Sequence, residues 1–565
     1  MASVDKDLEE LMSHLGEFGK YQARQYCLHI LAALTAGLHM LTLLTVAAVP
    51  PHHCVIPEAN VSSALIEPFN SSIIYDQNTS FVLDHLPRRV DNCHYLDRDN
   101  VTQECDSWTY ETTYFQSTRG MEWNFVCSQR WMGAVAQSSY MFGVFVGAVT
   151  LGSMADKYGR KIIFYVSAVA QLVLGVSVAL VSNYYVFLAF RFLYGIFGSA
   201  GAYITGFVLT MELVGPSKRT VCGVLFQLAF SAGFMLVAFW GAMINDRMWL
   251  QIIYGMHSAL LLGHWWLMDE SPRWLWAQGR VTEAIIIVQR ALKLNGSDVQ
   301  VDAGRLISKL KAQQEIKEDK SYGALDLFKT PNLRKKSLNI CLNWFANSIA
   351  YYGLALNTTN LVGNPFLMLF LSALVELPAY IFMIFTMDRA GRRCLVSTFL
   401  IIGGACCICA ASITGATSDL AAMATITIVL VGKACVAGSF AVVYNYTAEL
   451  FPTVVRNTAL GIGSMCARLS GALTPLIFLL DSLDARVPAT IFGLVSLVAG
   501  FLALYLPETL NQPMPETIED GENFGKGDTC FTTCIGGRAK IAAGSCDIAM
   551  EQTPERDEKE KLNST

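Results

Sequence analysis

Charge is what this chain has least of. Of its 565 residues only 15% are Asp, Glu, Lys or Arg, against about 25% in ordinary soluble proteins. Apolar residues make up 53%, and the mean hydropathy is +0.39, so a water-soluble fold could not cover its apolar surface. Catalytic signatures are missing too. No HExxH, no GxSxG, no Cys and His metal spacing and no phosphate-cradling loop occurs, so no enzyme, catalytic residue, metal or cofactor is expected. Nor does a cleavable leader show. Residues 1–25 are polar and acidic, with the run DKDLEE, and the first apolar helix is expected to serve as its own insertion signal.

Long apolar runs are present instead. Twelve stretches have the length of about 20 residues needed to cross about 30 Å of hydrocarbon: 26–49, 131–153, 162–182, 184–210, 220–244, 249–268, 338–357, 365–387, 394–416, 420–448, 458–480 and 487–506. Each must be helical, because lipid offers the backbone no hydrogen-bond partner. The loops after the second, fourth, eighth and tenth runs carry Lys157, Arg160, Lys161, Lys218, Arg219, Arg389, Arg392, Arg393 and Arg456. The loops after the third, fifth, seventh, ninth and eleventh runs carry only Arg247 and Arg486. The basic side is therefore read as cytoplasmic, and both termini with it.

That orientation places the segment 50–130 outside the cytosol. It holds Cys54, Cys93, Cys105 and Cys127, and Asn-x-Ser/Thr sequons at Asn60, Asn70, Asn78 and Asn100. Two disulfides are expected, with all three pairings open, and the four asparagines are candidate glycosylation sites. The sequons at Asn295 and Asn563 fall in the cytosol and the one at Asn445 inside the membrane, so these are set aside. Cysteines within the helices read as small buried residues.

The chain repeats itself. GSMADKYGRK (152–161) returns as TMDRAGRR (386–393), ELVGPSKR (212–219) as ELFPTVVR (449–456), and the ESPRW segment (270–274) as LPETL (506–510), at offsets between 232 and 238 residues. A duplicated six-helix unit follows, organised as an N-terminus 1–25, a first bundle 26–268, a linker 269–337, a second bundle 338–506 and a tail 507–565.

These motifs carry a resemblance. GSMADKYGRK and MDRAGRR are similar to the loop signature of the major facilitator superfamily. ESPRWLWAQGR, YTAELFPTVVRN and PMPETIEDGENFG, with the large first loop, resemble its organic cation, anion and carnitine transporter branch, in a pattern nearest to carnitine-type and invertebrate organic cation transporter-like members. The likeness covers residues 10–525. It implies an all-α membrane protein of twelve helices in two pseudo-symmetric bundles, residence in the plasma membrane, and alternating access to a central site. It also implies that Asp156, Arg160, Glu212, Arg219, Asp388, Arg392, Glu449 and Arg456 form a charged gate at the cytoplasmic mouth. Side-chain chemistry allows the same reading, since carboxylates and guanidinia four or seven apart can exchange charge-assisted bonds.

One guanidinium stands inside an apolar run. Arg468 lies twelve residues beyond Arg456, about 18 Å along the helix and near the bilayer midplane. Gly461, Ser464, Gly471 and Pro475 share its face. A charge at that depth costs at least about 2.5 kcal/mol and faces water or a partner, so Arg468 is expected to line a cavity and meet an anionic group. The alternative is a bond to an internal acid, for which Glu376 is best placed. In the family that the motifs resemble, cation carriers tend to have an acid at this position, and anion and carnitine carriers an arginine.

Lys433 is a second buried charge, with Phe440 and Tyr444 near its face. Tyr203, Phe207, Gln227, Tyr351 and Tyr352 complete the expected substrate-binding set. Arginine with aromatic surfaces suits a zwitterion, its carboxylate on Arg468 and its cation on the rings. Carnitine-like betaines, β-amino acids and carcinine-like amides fit; organic anions are the second reading, organic cations a third, and a non-transporting glycoprotein receptor the alternative from another class. Arg191 is read as structural. The expected partners are a small organic ion and membrane lipid, without nucleic acid, for a monomeric transport unit. Sodium or proton coupling stays open. The linker, with TEAIIIVQRAL and KLKAQQEIKEDK, reads as a helical cover over the mouth. The tail beyond 525 reads as disordered, with Cys530, Cys534 and Cys546 as free thiols and palmitoylation near the membrane as the alternative.

Overall fold

The computed structural model describes residues 12–55, 88–89, 91–96, 101–297, 323–358, 361–413 and 418–530. The four candidate glycosylation sites, the run KLKAQQEIKEDK, Cys534 and Cys546 lie outside the described residues.

Twelve helical spans are present among the described residues. In the first half they are α1 (Lys20–Met40, continued by Leu43–Val46), α2 (Trp131–Tyr158), α3 (Arg160–Leu180), α4 (Tyr184–Leu213), α5 (Pro216–Met243) and α6 (Arg247–Met256, with a tighter turn His257–Leu261 and a last turn His264–Leu267). In the second half they are α7 (Pro331–Asn357), α8 (Pro365–Leu374 and Glu376–Ala390), α9 (Arg392–Ile413), α10 (Asp419–Leu450), α11 (Arg456–Phe478) and α12 (Val487–Ala503). Nine of the described helices are long and apolar enough on their own to cross a membrane. The other three are α6, which the 257–261 turn breaks, α7, which opens on the charged NLRKK, and α12, which is short.

Helix starts on the loop-domain side share one device. The side chains of Asn183, Asp246, Asn364 and Ser418 accept bonds from the first free backbone N–H groups of α4, α6, α8 and α10, which lipid could not satisfy. On the opposite, basic side the repeat supplies a longer-range cap. Glu270 accepts from the N–H groups of Arg160 (3.2 Å) and Lys161 (3.0 Å) at the start of α3. Its counterpart Glu508 accepts from those of Arg392 (2.8 Å) and Arg393 (3.2 Å) at the start of α9. Each carboxylate fits because a glycine precedes the helix. Gly159 has φ +110° and Gly391 φ +84°, and a Cβ there would stand 2.6 Å from Glu270 Oε2 and 2.5 Å from Glu508 Oε2.

The loop after α1 departs from all-helical structure. Its strands β1 (His52–Cys54), β2 (Arg88–Arg89), β3 (His94–Leu96), β4 (Thr102–Glu104) and β5 (Trp108–Tyr110) form the antiparallel pair β1–β5 and the antiparallel sheet β2–β3–β4. Two disulfides, Cys54–Cys105 and Cys93–Cys127, resolve the open pairing. Between the bundles, helices Pro272–Ala277 and Val281–Asn295 pack Trp274, Trp276, Ile285 and Val288 against Met12, Leu15 and Tyr21. Asn295 caps α1 by accepting from Tyr21 N at 2.8 Å. The halves meet along α2 with α11 and α5 with α8.

The glycine geometry yields a test. The region with positive φ and extended ψ is essentially closed to other residues, at about 1–3 kcal/mol of strain. Gly391→Ala should lower the thermal unfolding midpoint of the purified protein, and Gly391→Ala with Glu508→Ala should not recover it. Full recovery in the double variant would show that the carboxylate contact, and not the backbone angle, sets the requirement.

Candidate functional site

At the middle of the bundle a cavity of about 70 Å³ lies between the halves. Arg468, Tyr203, Gln227, Tyr351, Tyr352, Phe440 and Tyr444 line it, together with Met40, Met141, Val144, Phe230, Ser348, Tyr380, Ala467 and Gly471. Small-molecule sites start at about 300 Å³, so in this conformation the walls are drawn in. Tyr203 reaches the wall at the end of a π-helical stretch of α4, Ile196–Tyr203, a distortion frequent at functional sites. Its hydroxyl donates to Gln227 Oε1 at 3.3 Å. Tyr352 rests against Gly471 on α11 and donates to Met40 Sδ across the halves at 3.2 Å.

Arg468 carries no acid partner among the described residues. Its Nη1 donates to the Ser464 carbonyl at 2.9 Å and to the Ser464 hydroxyl, and its Nε has no partner. Ser464, one turn back on the same helix, thus orients the guanidinium while leaving donors for a ligand. The expected alternative, a bond to Glu376, does not form.

Glu376 goes to Lys433, which was expected among the substrate-binding residues. Lys433 Nζ lies 3.2 Å from Glu376 Oε1, with the two side chains 1% and 0% exposed. The ammonium also donates to the Tyr351 carbonyl at 3.2 Å and sits 3.2 Å from the centre of the Tyr351 ring. Glu376 Oε2 accepts from Tyr351 at 3.1 Å, from Tyr380 at 3.3 Å and from Ser231 of α5. Lys433 stands behind the cavity wall, not on it. Phe207, also expected in that set, stands off the wall as well. It leaves the wall and packs between Phe226 and Tyr444, with ring centres 5.4 and 6.0 Å away, because it stands one turn beyond Tyr203 towards the basic side.

The charged groups at the basic mouth bond within each half. Arg160 joins Asp156 at 3.0 Å and Glu212 at 3.1 Å; Arg392 joins Asp388 at 2.9 Å and Glu449 at 3.0 Å. The expected pairs Glu212 with Arg219 and Glu449 with Arg456 are not hydrogen-bonded. Arg219 Nε donates to the Val214 carbonyl at 3.3 Å, and Arg456 leaves Nε and Nη2 without partners. Each pair straddles the turn between two helices, α4 and α5 for Glu212 and Arg219, α10 and α11 for Glu449 and Arg456, and each glutamate is taken instead by the arginine at the start of α3 or α9. Glu270 and Glu508 belong to these two networks, and their place in the repeated motifs was the available signal. The only ion pair found between the halves lies on the loop side, among the described residues: Arg130, just before α2, with Asp481, just after α11. Arg191 is wholly buried over the Tyr140 ring, at 4.7 Å, and donates to Gln137 at 3.0 Å and Thr42 at 3.4 Å. It holds α4 to α1 and α2.

Breaking one side of a buried ion pair costs about 3–5 kcal/mol, while replacing both partners by apolar groups is often neutral. Lys433→Met and Glu376→Met should each lower the unfolding midpoint of the purified protein markedly. Lys433→Met with Glu376→Met should recover most of the loss. Additive losses in the double variant would show that the two groups are independent.

The chain matches the family model for sugar (and other) transporters over residues 74–520. It is 36% identical over 537 residues to the organic cation transporter protein of Drosophila melanogaster, covering 92% of this chain and 95% of that one. It is 31% identical over 532 residues to the organic cation/carnitine transporter 2 of Homo sapiens, covering 91% and 94%. Among solved structures it superposes on the xylose transporter XylE from E. coli with a TM-score of 0.58 at 15% identity, covering 87% of this chain and 100% of that one, which speaks for the fold alone. Two bundles related by repeat, a cavity between them and near full-length matches agree: the chain belongs to the sugar (and other) transporter family of the major facilitator superfamily, among its organic cation, anion and carnitine transporters, and is a multi-pass membrane carrier, not an enzyme.

Proposed function

We propose that this carrier moves small zwitterions, most aptly betaines with a carboxylate and a quaternary ammonium, across the plasma membrane by alternating access. The observation that carries this reading is the unequal treatment of the interior charges. Glu376 and Lys433 are committed to each other, whereas Arg468 faces the cavity with donors to spare. A substrate carboxylate can take those donors in a charge-assisted bond.

The other end of the substrate meets rings. No carboxylate lines the cavity among the described residues, so an ammonium bearing N–H groups would exchange its hydrogen bonds to water for ones to neutral oxygens alone, those of Gln227, Ser348 and the tyrosines. A quaternary ammonium has none to lose. It is held by ring faces such as Tyr203, Tyr352, Phe440 and Tyr444, at about 0.5–2 kcal/mol for each good contact. This favours betaines over the β-amino acids and amides that the sequence equally allows. Organic monoanions form the second reading, because a flat carboxylate would satisfy Arg468 and stack on the same rings.

Uptake into proteoliposomes, with and without sodium, tests the proposal. Labelled 4-trimethylammoniobutyrate should enter, and its methyl ester should not. With a charged hydrogen bond worth about 1.5–3 kcal/mol, Arg468→Ala should lower kcat/KM for the betaine about 10- to 150-fold. Undiminished betaine uptake by Arg468→Ala, or equal uptake of the ester, would overturn it. Preference for an aromatic carboxylate over the betaine would select the second reading in its place.

A further inference from the structure

The fourth helix is irregular where its repeat partner is not. α4 turns π-helical over Ile196–Tyr203, while α10, its counterpart in the second half, runs as one α-helix from Asp419 to Leu450. The irregularity therefore belongs to this segment and is not imposed by the architecture. A π-helical bulge holds a residue in excess of the α-helical count and leaves backbone carbonyls short of their usual partners. Here the Thr205 hydroxyl serves the Gly201 and Ala202 carbonyls.

Two polar side chains face this stretch from α3 without bonding to it. Gln171 is 0% and Ser167 1% exposed. Among the described residues the Gln171 amide has no partner at Oε1 or Nε2, and Ser167 Oγ has none either. The glycines of α4 show where they point. A Cβ on Gly198 would stand 3.5 Å from Gln171 Cδ, and one on Gly201 would run into Ser167 Oγ. Buried amides and hydroxyls left unbonded cost free energy, and these two lie one turn apart beside carbonyls that can change partners. Both ends of α4 are held meanwhile. Arg191 bonds to Gln137 and Thr42 towards the loop side; Glu212 bonds to Arg160 and Thr210 to His29 towards the basic side. An extra residue cannot leave a helix fixed at both ends, but it can move along it, turning each residue it passes by about 100° around the axis. Tyr203 closes the stretch and lines the central cavity, so a step of the bulge towards the basic side turns it.

We propose that the α4 bulge has two registers and that Gln171 and Ser167 are positioning residues for the second, where they take the backbone carbonyls it frees while Tyr203 is turned off the cavity wall. In that register the central cavity has one ring fewer to offer a solute. The two α3 side chains thus act on the cavity through Tyr203 without touching its contents. This inference does not rest on the betaine reading.

The test needs no solute. Amide hydrogen exchange of the purified full-length protein, read by mass spectrometry, compares peptides over 196–205 with peptides of α10. Tyr203→Cys adds a second readout, the rate at which a water-soluble methanethiosulfonate labels position 203. Gln171→Met keeps the volume of the side chain and removes its amide, so it should favour the present register. Exchange over 196–205 should slow by about threefold or more, with α10 within about twofold of its original rate. The unfolding midpoint should rise, because an unbonded buried amide is gone. Combined with Tyr203→Cys, Gln171→Met should raise the labelling rate about threefold or more, since position 203 stays longer on the wall. Ser167→Ala should move every readout the same way. Exchange over 196–205 unchanged by both variants would mean a single register and overturn the proposal. A lowered midpoint with faster exchange in α4 and α10 alike would do so too, by making Gln171 a structural group of the present register. Labelling that does not rise would overturn it by removing Tyr203 from the movement.

Discussion

A lysine and a glutamate that cancel each other inside the second bundle determine what the cavity can recognise. Either alone, at this depth, would have to be neutralised or hydrated. Together they are tolerated because hydrogen bonds gather on Glu376 Oε2 while Oε1 faces Lys433 alone. Tyr351, Tyr380 and Ser231 serve the carboxylate, and the Tyr351 carbonyl and ring serve the ammonium. Removing this pair from the cavity's account leaves Arg468 as its one uncompensated charge among the described lining residues. Had Glu376 turned to Arg468, the cavity would hold a neutralised guanidinium and lose the planar, two-pronged donor that fits a carboxylate.

The charged motifs at the basic ends solve a different problem. The first turns of α3 and α9 begin directly after α2 and α8, with a single glycine between them, so their free N–H groups have no room for a conventional side-chain cap. A glutamate returning from the end of the sixth or twelfth helix reaches in over the glycine and takes them. The arginine that follows the glycine then gathers the carboxylates of the neighbouring helix ends, Asp156 and Glu212 in one half and Asp388 and Glu449 in the other. Each network fastens the helices of one bundle into a unit. Rigid units are what a carrier needs if its halves are to rock as bodies.

How much of this could be read from the chain depends on whether a feature is local. The twelve helices follow from apolar run length, and the depth of Arg468 from a count of residues past Arg456; both are properties of one segment. Its small-residue face, Ser464 and Gly471, follows from helical periodicity and does lie where the guanidinium and Tyr352 need it. Partner choice is not local. Lys433 and Arg468 sit on different helices, and only the lateral packing of α8 against α10 decides which of them meets Glu376. The same holds for the disulfides. Four cysteines leave three pairings open until β1 lies against β5 and Cys105 N bonds to the Cys93 carbonyl. Glu270 and Glu508 were visible as repeated letters, but their role as caps across more than a hundred residues of sequence was not.

The bonds between the halves are of another order from those within them. On the loop side Arg130 meets Asp481, with the arginine half exposed, and such a pair is worth about 0–1 kcal/mol. Phe115 packs on Phe366 with ring centres 5.0 Å apart. Deeper in, the Ser231 hydroxyl of the first half donates to Glu376 of the second, a charged hydrogen bond of about 1.5–3 kcal/mol. These are energies that solute binding can offset, so the arrangement keeps two orientations within reach of each other. Ser231 gives the Lys433–Glu376 pair a further part. When the halves separate at this level Glu376 loses a donor, while its bonds to Lys433, Tyr351 and Tyr380 all come from its own half and can persist. On the proposed reading the carboxylate would then stay paired, and Arg468 would remain the free charge in either orientation. Selectivity of the cavity would thereby be uncoupled from the direction in which it opens, which is the condition for a carrier to recognise the same solute from both sides.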